Sequence, residues 1–210
     1  MSLEAEAFCD IIDAVINMLT MKDIIQEGNP ILRKRAEEVL LPLSTLDLET
    51  LRMMMEYIEN SQDPEKVAQY ELRPAVGIAA PQIGIAKKMF CVMAEDERTG
   101  QLHQYAVVNP KIIAYSEEQT YIPGGEGCLS VDEMKNGLVP RSKRIKAKGH
   151  LVDLANGETK EVLFKLQGYV GIVFQHEYDH LMGVLFVDKV HESLPNIKPL
   201  EFPTDEEAAE

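Results

Sequence analysis

Phe174-Gln175-His176-Glu177-Tyr178-Asp179-His180 is the stretch on which the reading of the chain turns. Two histidines stand four residues apart, with a glutamate directly after the first. On an α-helix such positions share one face, one turn apart, so two imidazoles can reach one cation. Glu177 then lies beside the cation, where it can take a proton from bound water. Upstream, Leu163, Leu166, Tyr169, Val170, Val173 and Phe174 recur at helical spacing, which predicts that the motif rides on a half-buried helix. The plain alternative is a buried helix that merely carries two histidines; the added glutamate at this spacing favours a metal site. Zinc-like sites take at least three protein ligands, so another part of the chain must supply one.

The chain has 210 residues, a length that suits one domain with its own core. A formal net charge of −14 argues against a nucleic-acid binder and against contact with anionic lipid. The one basic run, Pro140 to Lys148, alternates charged with small or apolar residues and reads as a solvated strand face. Cys9, Cys91 and Cys128 are odd in number and widely spaced, so no disulfide framework is expected. The N-terminus lacks a basic leader and no apolar run is long enough to span a bilayer. A reducing cytoplasm, with the cysteines as thiols, is the expected setting.

Residues 1–20 are expected to form an amphipathic helical extension, with Phe8, Ile12, Val15, Ile16 and Leu19 on one stripe. Residues 21–198 form the expected catalytic domain, and 199–210 an acidic, flexible tail. Leu48, Leu51, Met54, Met55 and Ile58 predict a helix from Leu46 to Asn60. Strands are predicted at Met89–Met93, at Tyr105–Asn109 (closed by Pro110) and at Lys111–Tyr115, antiparallel because their connections are short. Ile145–Val152 and Thr159–Leu163 read as a hairpin around Asn156-Gly157. The motif helix ends near Gly183. The predicted class is α+β, with antiparallel β-sheets packed around a central metal-binding helix.

Two further stretches bear on the third ligand. Val76-Gly77-Ile78-Ala79-Ala80-Pro81-Gln82 is small and apolar, with one amide; it suits either tight packing under the helix or a substrate-facing rim, and Pro81 argues against a central strand. Gly124-Gly125-Glu126-Gly127-Cys128-Leu129 is a loop whose backbone can approach a ligand closely. A third histidine six residues beyond His180 is ruled out, since Phe186 stands there. The later acids lie in a proline-interrupted region, and His150 and His191 lie in no motif. Cys128 is the better candidate: a thiolate plus two neutral imidazoles leaves one coordination position open for water.

Three segments, Gly77-Ile78-Ala79-Ala80-Pro81-Gln82, Glu126-Gly127-Cys128-Leu129-Ser130 and Gln175-His176-Glu177-Tyr178-Asp179-His180, together resemble the three signature motifs of peptide deformylase, in order and at similar spacing. The likeness runs from about Met21 to Val190. Extra residues around Asp132 to Gly137, and the long stretch between the first two motifs, resemble the bacterial type 2 branch. The resemblance implies hydrolysis of the formyl group from the N-terminal formylmethionine of new polypeptides. It implies Cys128, His176 and His180 as ligands of one divalent metal, Fe²⁺ natively, with Zn²⁺ or Ni²⁺ able to substitute. Metal-bound hydroxide attacks, Glu177 moves the proton, and the Gln82 amide and Leu129 N–H hold the oxyanion. Val76 and Gly77 are expected to pair with the substrate backbone. Tyr169, Ile172 and Val173 are expected to line the methionine slot, and Glu126 with Arg141 to brace the Cys128 loop. A cytoplasmic bacterial monomer, acting on formylmethionyl peptides near the ribosomal exit, is the implied setting. Ala75 departs from the family pattern, which usually has glycine two positions before Gly77. A peptidase of the His-Glu-x-x-His type and a non-catalytic metal sensor remain as alternatives.

Overall fold

The computed structural model describes residues 18–132 and 137–203. Residues 1–17 of the helix expected over 1–20, part of the Asp132–Gly137 insertion and the end of the tail lie outside the described residues, and the described residues 18–20 are not helical, Thr20 being extended. Among the described residues, seven strands and three α-helices follow one another: α1 (Thr45–Ser61), α2 (Pro64–Tyr70), β1 (Gly77–Ala79), β2 (Met89–Glu95), β3 (Leu102–Tyr115), β4 (Gln119–Thr120), β5 (Arg141–Ser142), β6 (Arg144–Val152), β7 (Thr159–Gln167) and α3 (Gly168–Leu181). Five strands form one antiparallel sheet in the order β1-β2-β3-β6-β7, and β4 pairs with β5 in a second, two-stranded sheet.

Strand β2 shows why the layers stack as they do. Successive side chains point to opposite faces of a sheet, and here both faces are covered. Met89 and Cys91 join Leu51, Met54 and Ile58 of α1 on one side. Phe90, Val92 and Ala94 join Val170, Val173 and Phe174 of α3 on the other. Phe174 meets Phe90 edge-on at 4.9 Å and lies 5.5 Å from Phe164, so three aromatic rings tie the motif helix to the sheet. Cys91 is fully buried, donates to the Leu51 carbonyl, and has its thiol pKa pushed upward by burial.

Two expectations about local structure need correction. Leu163 and Leu166 do not begin the motif helix; they belong to β7, where Leu166 is buried and Leu163 faces solvent. Their three-residue spacing mimics helical periodicity by chance. The strand turns into α3 at Gly168, whose φ of +59° lies in the left-handed region that glycine tolerates best. The second correction concerns β3, which runs unbroken from Leu102 to Tyr115 rather than stopping at Pro110. Asn109 takes a positive φ, and its side-chain amide pairs with both the N–H and the C=O of Val39 at 2.8 Å. A bulge between Val108 and Lys111 absorbs the proline without ending the pairing.

The start of α3 is capped from a distance. Glu97, in the turn between β2 and β3, accepts the Tyr169 N–H at 2.9 Å and places a carboxylate at the positive end of the helix dipole. A Cβ at position 168 would sit 2.1 Å from Glu97 Oε1. Gly168→Ala therefore carries both backbone strain, about 1–2 kcal/mol, and a collision with the capping carboxylate. In urea unfolding we expect Gly168→Ala to cost more in the parent than in a Glu97→Ala background. Equal costs in the two backgrounds would show that the two residues do not couple.

Candidate active site

The site forms where α3, the Gly124–Leu129 loop and the β1 edge meet. One ligand atom each from Cys128, His176 and His180 lies within 4.8 Å of the other two. Cys128 Sγ is 3.3 Å from His180 Nε2. Bond lengths of about 2.3 Å to sulfur and about 2.0 Å to nitrogen put neighbouring ligands of a tetrahedral site about 3.5 Å apart, so the spacing fits one cation. A soft sulfur with two imidazole nitrogens suits a transition metal or zinc better than calcium or magnesium. His180 Nδ1 and Glu177 Oε2 are buried without hydrogen-bond partners among the described residues, the mark of a polar centre built around something more than protein.

The histidines are held unequally. His176 Nδ1 meets Glu126 Oε2 at 2.8 Å. Glu126 is gripped in turn by Arg141, Nε to Oε1 at 2.7 Å and Nη2 to Oε2 at 2.8 Å. Arg141 also pairs with Asp179 of α3, which takes a second cation from Lys189 at 2.6 Å. One guanidinium thus joins the glycine-rich loop, strand β5 and the motif helix. Its side chain is only 3% exposed, so Arg141 is not part of a solvated basic face, as its place in the Pro140–Lys148 run suggested.

Electrostatics follow from that geometry. Burial would raise the Glu126 pKa, but its bonds to Arg141 and His176 prevail and hold it at about 2. Burial alone would lower His176, yet Cys128 and Glu126 together lift it well above the usual histidine range. His180 is driven well below its usual value by burial and by its cationic neighbours, and stays neutral, as a metal ligand must. Burial pushes Glu177 up to about 7.

Glu177 lies against β1. A Cβ on Gly77 would fall 2.4 Å from Glu177 Oε1, so only glycine leaves room for that carboxylate. Gln82 is 1% exposed. Its Oε1 accepts the Ala79 N–H at 2.8 Å, which turns its NH₂ toward Cys128 Sγ (3.4 Å) and Ser130 Oγ (3.3 Å). The Leu129 N–H makes no hydrogen bond among the described residues. β1 is an edge strand, as Pro81 suggested. The Val76 carbonyl is already taken by Met93 N–H at 2.8 Å, so it is not free to pair with a substrate backbone as expected, and by the alternation of a ladder the N–H and C=O of Gly77 face the open edge. Ala75 donates its N–H to Ser61 Oγ at 3.0 Å, and its carbonyl accepts from Gln62.

A cleft of about 560 Å³ opens beside these groups. Val76, Gly77, Gln82, Cys128, Leu129, Tyr169, Ile172, Val173, His176 and Glu177 all border it, whereas His180 and Arg141 do not. Two contributors escaped the sequence reading. Arg73 donates to the carbonyls of Cys128, Leu129 and Val131 at 3.1–3.4 Å and fastens the ligand loop. Nothing in a single arginine before Pro74 signals that task. Phe202, from the supposed flexible tail, also borders the cleft.

The sequence profile described as "Polypeptide deformylase" matches residues 21–196. The chain is 53% identical over 189 residues to "Peptide deformylase 2" of Bacillus cereus, covering 88% of this chain and 100% of that one. It is 51% identical over 173 residues to the peptide deformylase of Shouchella clausii, covering 82% and 91%. Among solved structures it resembles the peptide deformylase of Thermotoga maritima, at 34% identity and a TM-score of 0.59, covering 80% of this chain and 96% of that one. It also resembles the Met-Ala-Ser-bound class I type b enzyme of Acinetobacter baumannii, at 29% identity and a TM-score of 0.61, covering 83% and 100%. With that profile spanning most of its length and relatives at about half identity along nearly all of theirs, the chain belongs to the polypeptide deformylase family.

Proposed function

We propose that this chain removes the formyl group from the formylmethionine of newly made polypeptides, by metal-dependent hydrolysis of the formamide bond. The observation that carries this is the meeting of Cys128, His176 and His180 beside a buried Glu177 oxygen that has no partner among the described residues, with Cys128, His176 and Glu177 bordering one cleft. Cys128, His176 and His180 would hold a divalent metal, with Fe²⁺ as the native choice and Zn²⁺ or Ni²⁺ as substitutes. When bound, such a cation supplies Lewis acidity, which polarises a carbonyl oxygen and makes water a usable acid near neutral pH.

The chain's own residues do the rest. Glu177 takes the proton of the attacking water and passes it to the departing amine. The Gln82 amide and the Leu129 N–H donate to the oxygen of the formyl group as it gains charge; one such donor is worth about 3 kcal/mol of barrier. Gly77 pairs with the extended substrate backbone along the β1 edge, and Val76 supports that edge from within the sheet. The Met-Ala-Ser held by the Acinetobacter enzyme is a product of this type. Tyr169, Ile172 and Val173 receive the methionine side chain. Glu126, fixed by Arg141, sets the ring of His176 and raises its basicity. Residues 21–198 make up the catalytic domain together with the anchored segment through Phe202, which the composition of the tail did not suggest. No helix of the described residues is long and apolar enough to cross a membrane. The setting that goes with this activity is the bacterial cytoplasm, where a monomer meets its substrate near the ribosome and makes no direct nucleic-acid contact.

Formate release from formyl-Met-Ala-Ser by protein loaded anaerobically with Fe²⁺, beside free peptides as protease controls, tests this reading; cleavage of the controls without formate would favour the peptidase alternative. Glu177→Gln should keep one metal per chain while turnover falls by about 10²–10⁴-fold, whereas a sensor would keep both metal and function. Cys128→Ala should lose the metal as well as turnover, read by elemental analysis. Because the Glu126 pKa is about 2 when folded and 4.5 in the unfolded chain, its contribution to stability is complete above pH 4.5. It fades as pH falls toward 2, by on the order of 3 kcal/mol. Unfolding curves of Glu126→Gln should therefore be flatter than those of the parent between pH 5 and 2.

A further inference from the structure

Residues 198–202, expected to belong to a flexible tail beyond 198, are instead held where the cleft needs a wall. Leu200 is buried, and its N–H donates to the Tyr121 carbonyl at 2.8 Å. Two residues earlier, the Lys198 carbonyl accepts from Thr120 Oγ1 at 3.1 Å. These bonds lay the segment beside β4 and carry Phe202 to the mouth of the active-site cleft. There its ring meets Tyr169 edge-on, with centroids 5.6 Å apart. Tyr169 stands seven residues before His176 on α3, about 10 Å along the helix from the metal ligands. A side chain that runs from the reacting centre toward the start of α3 passes Val173 and Ile172 and meets Tyr169 last. Phe202 borders a second cleft as well, a polar one with Glu97, Lys143 and Lys198 in its lining. The ring is thus a partition between an apolar slot and a charged groove. It is 45% exposed, which leaves aromatic surface for a ligand to cover.

We propose that Phe202 is a specificity-determining residue: with Tyr169 it forms the far wall of the slot that takes the first side chain of the substrate. The inference rests on the deformylase reading and adds to it a wall drawn from the C-terminal segment. A long, unbranched apolar side chain reaches the wall and buries surface against both rings, whereas a methyl group stops short of it. Because that contact is the same in the bound substrate and in the transition state, its loss raises KM more than it lowers kcat.

The test compares Phe202→Ala, Phe202→Leu and the parent, each loaded with Fe²⁺, on formyl-Met-Ala-Ser and formyl-Ala-Ala-Ser. In Phe202→Ala the ratio of kcat/KM for the methionyl over the alanyl peptide should fall about 5-fold or more, mainly through KM. Phe202→Leu, which restores an apolar wall, should return the ratio to within about twofold of the parent. A ratio unchanged in Phe202→Ala, or an equal loss on both peptides, overturns the proposal, since a merely structural role would not discriminate between them. A parent that releases no formate from either peptide overturns the deformylase reading itself, a failure distinct from an unaltered ratio in an active enzyme.

Discussion

The centre of this structure depends on one ion-pair chain that must be complete to exist. Lys189, Asp179, Arg141, Glu126 and His176 follow one another with no gap, and Arg141 and Glu126 are shut away from water. A charge left alone at that depth would cost several kcal/mol, whereas a paired and hydrogen-bonded one is tolerated. Each link therefore holds its neighbour in place. What the chain secures is the direction of the His176 ring, and with it the Nε2 that faces Cys128 and His180. The short sheet of β4 and β5 contributes little apolar surface; its value lies in carrying Arg141.

That polar assembly is tolerated because the rest of α3 is so apolar. Val170, Ile172, Val173, Phe174 and Leu181 are all buried, and the helix is covered on most sides by the sheet and the loops around it. Helices of this kind hold position through packing rather than through propensity. Rigid seating of the helix in turn fixes both histidines and Glu177, whose spacing along it is set by the backbone. The three ligands come from two places with different roles: two from the stiffest element of the fold, one from a loop pinned by Arg73 and by Gln26, whose amide donates to the Leu129 carbonyl.

Much of this was legible in the sequence. His176, Glu177 and His180 stand out because four-residue spacing has one geometric meaning on a helix. Cys128 emerged when Phe186 closed off the three-histidine arrangement. The helix over Thr45–Ser61 and the hairpin around Asn156-Gly157 carry strong local patterns and appear where expected. Other parts were hidden for physical reasons. Leu163 and Leu166 fit a helical period and a strand equally well, and only Gly168 decides between them. Pro110 looks like a strand end until the Asn109 amide is seen pairing with Val39. Arg73 acts on backbone carbonyls more than fifty residues away, and contacts of that range leave no local trace. The 199–203 segment has the composition of a tail, so the anchoring of Leu200 could not be anticipated from its residue types.

The edge strand has a consequence for the breadth of peptides the protein can accept. β1 is three residues long and gives way at once to the turn Ala80–Ile83. An unpaired edge of that size is too short to template self-association, the usual danger of an open sheet margin. The same brevity limits a visiting peptide to a handful of main-chain bonds, which are blind to sequence. In the proposed function, selection then rests on the first side chain, and main-chain bonds alone meet the residues beyond it. That indifference is what a single processing enzyme needs if it is to serve every product of a translation system.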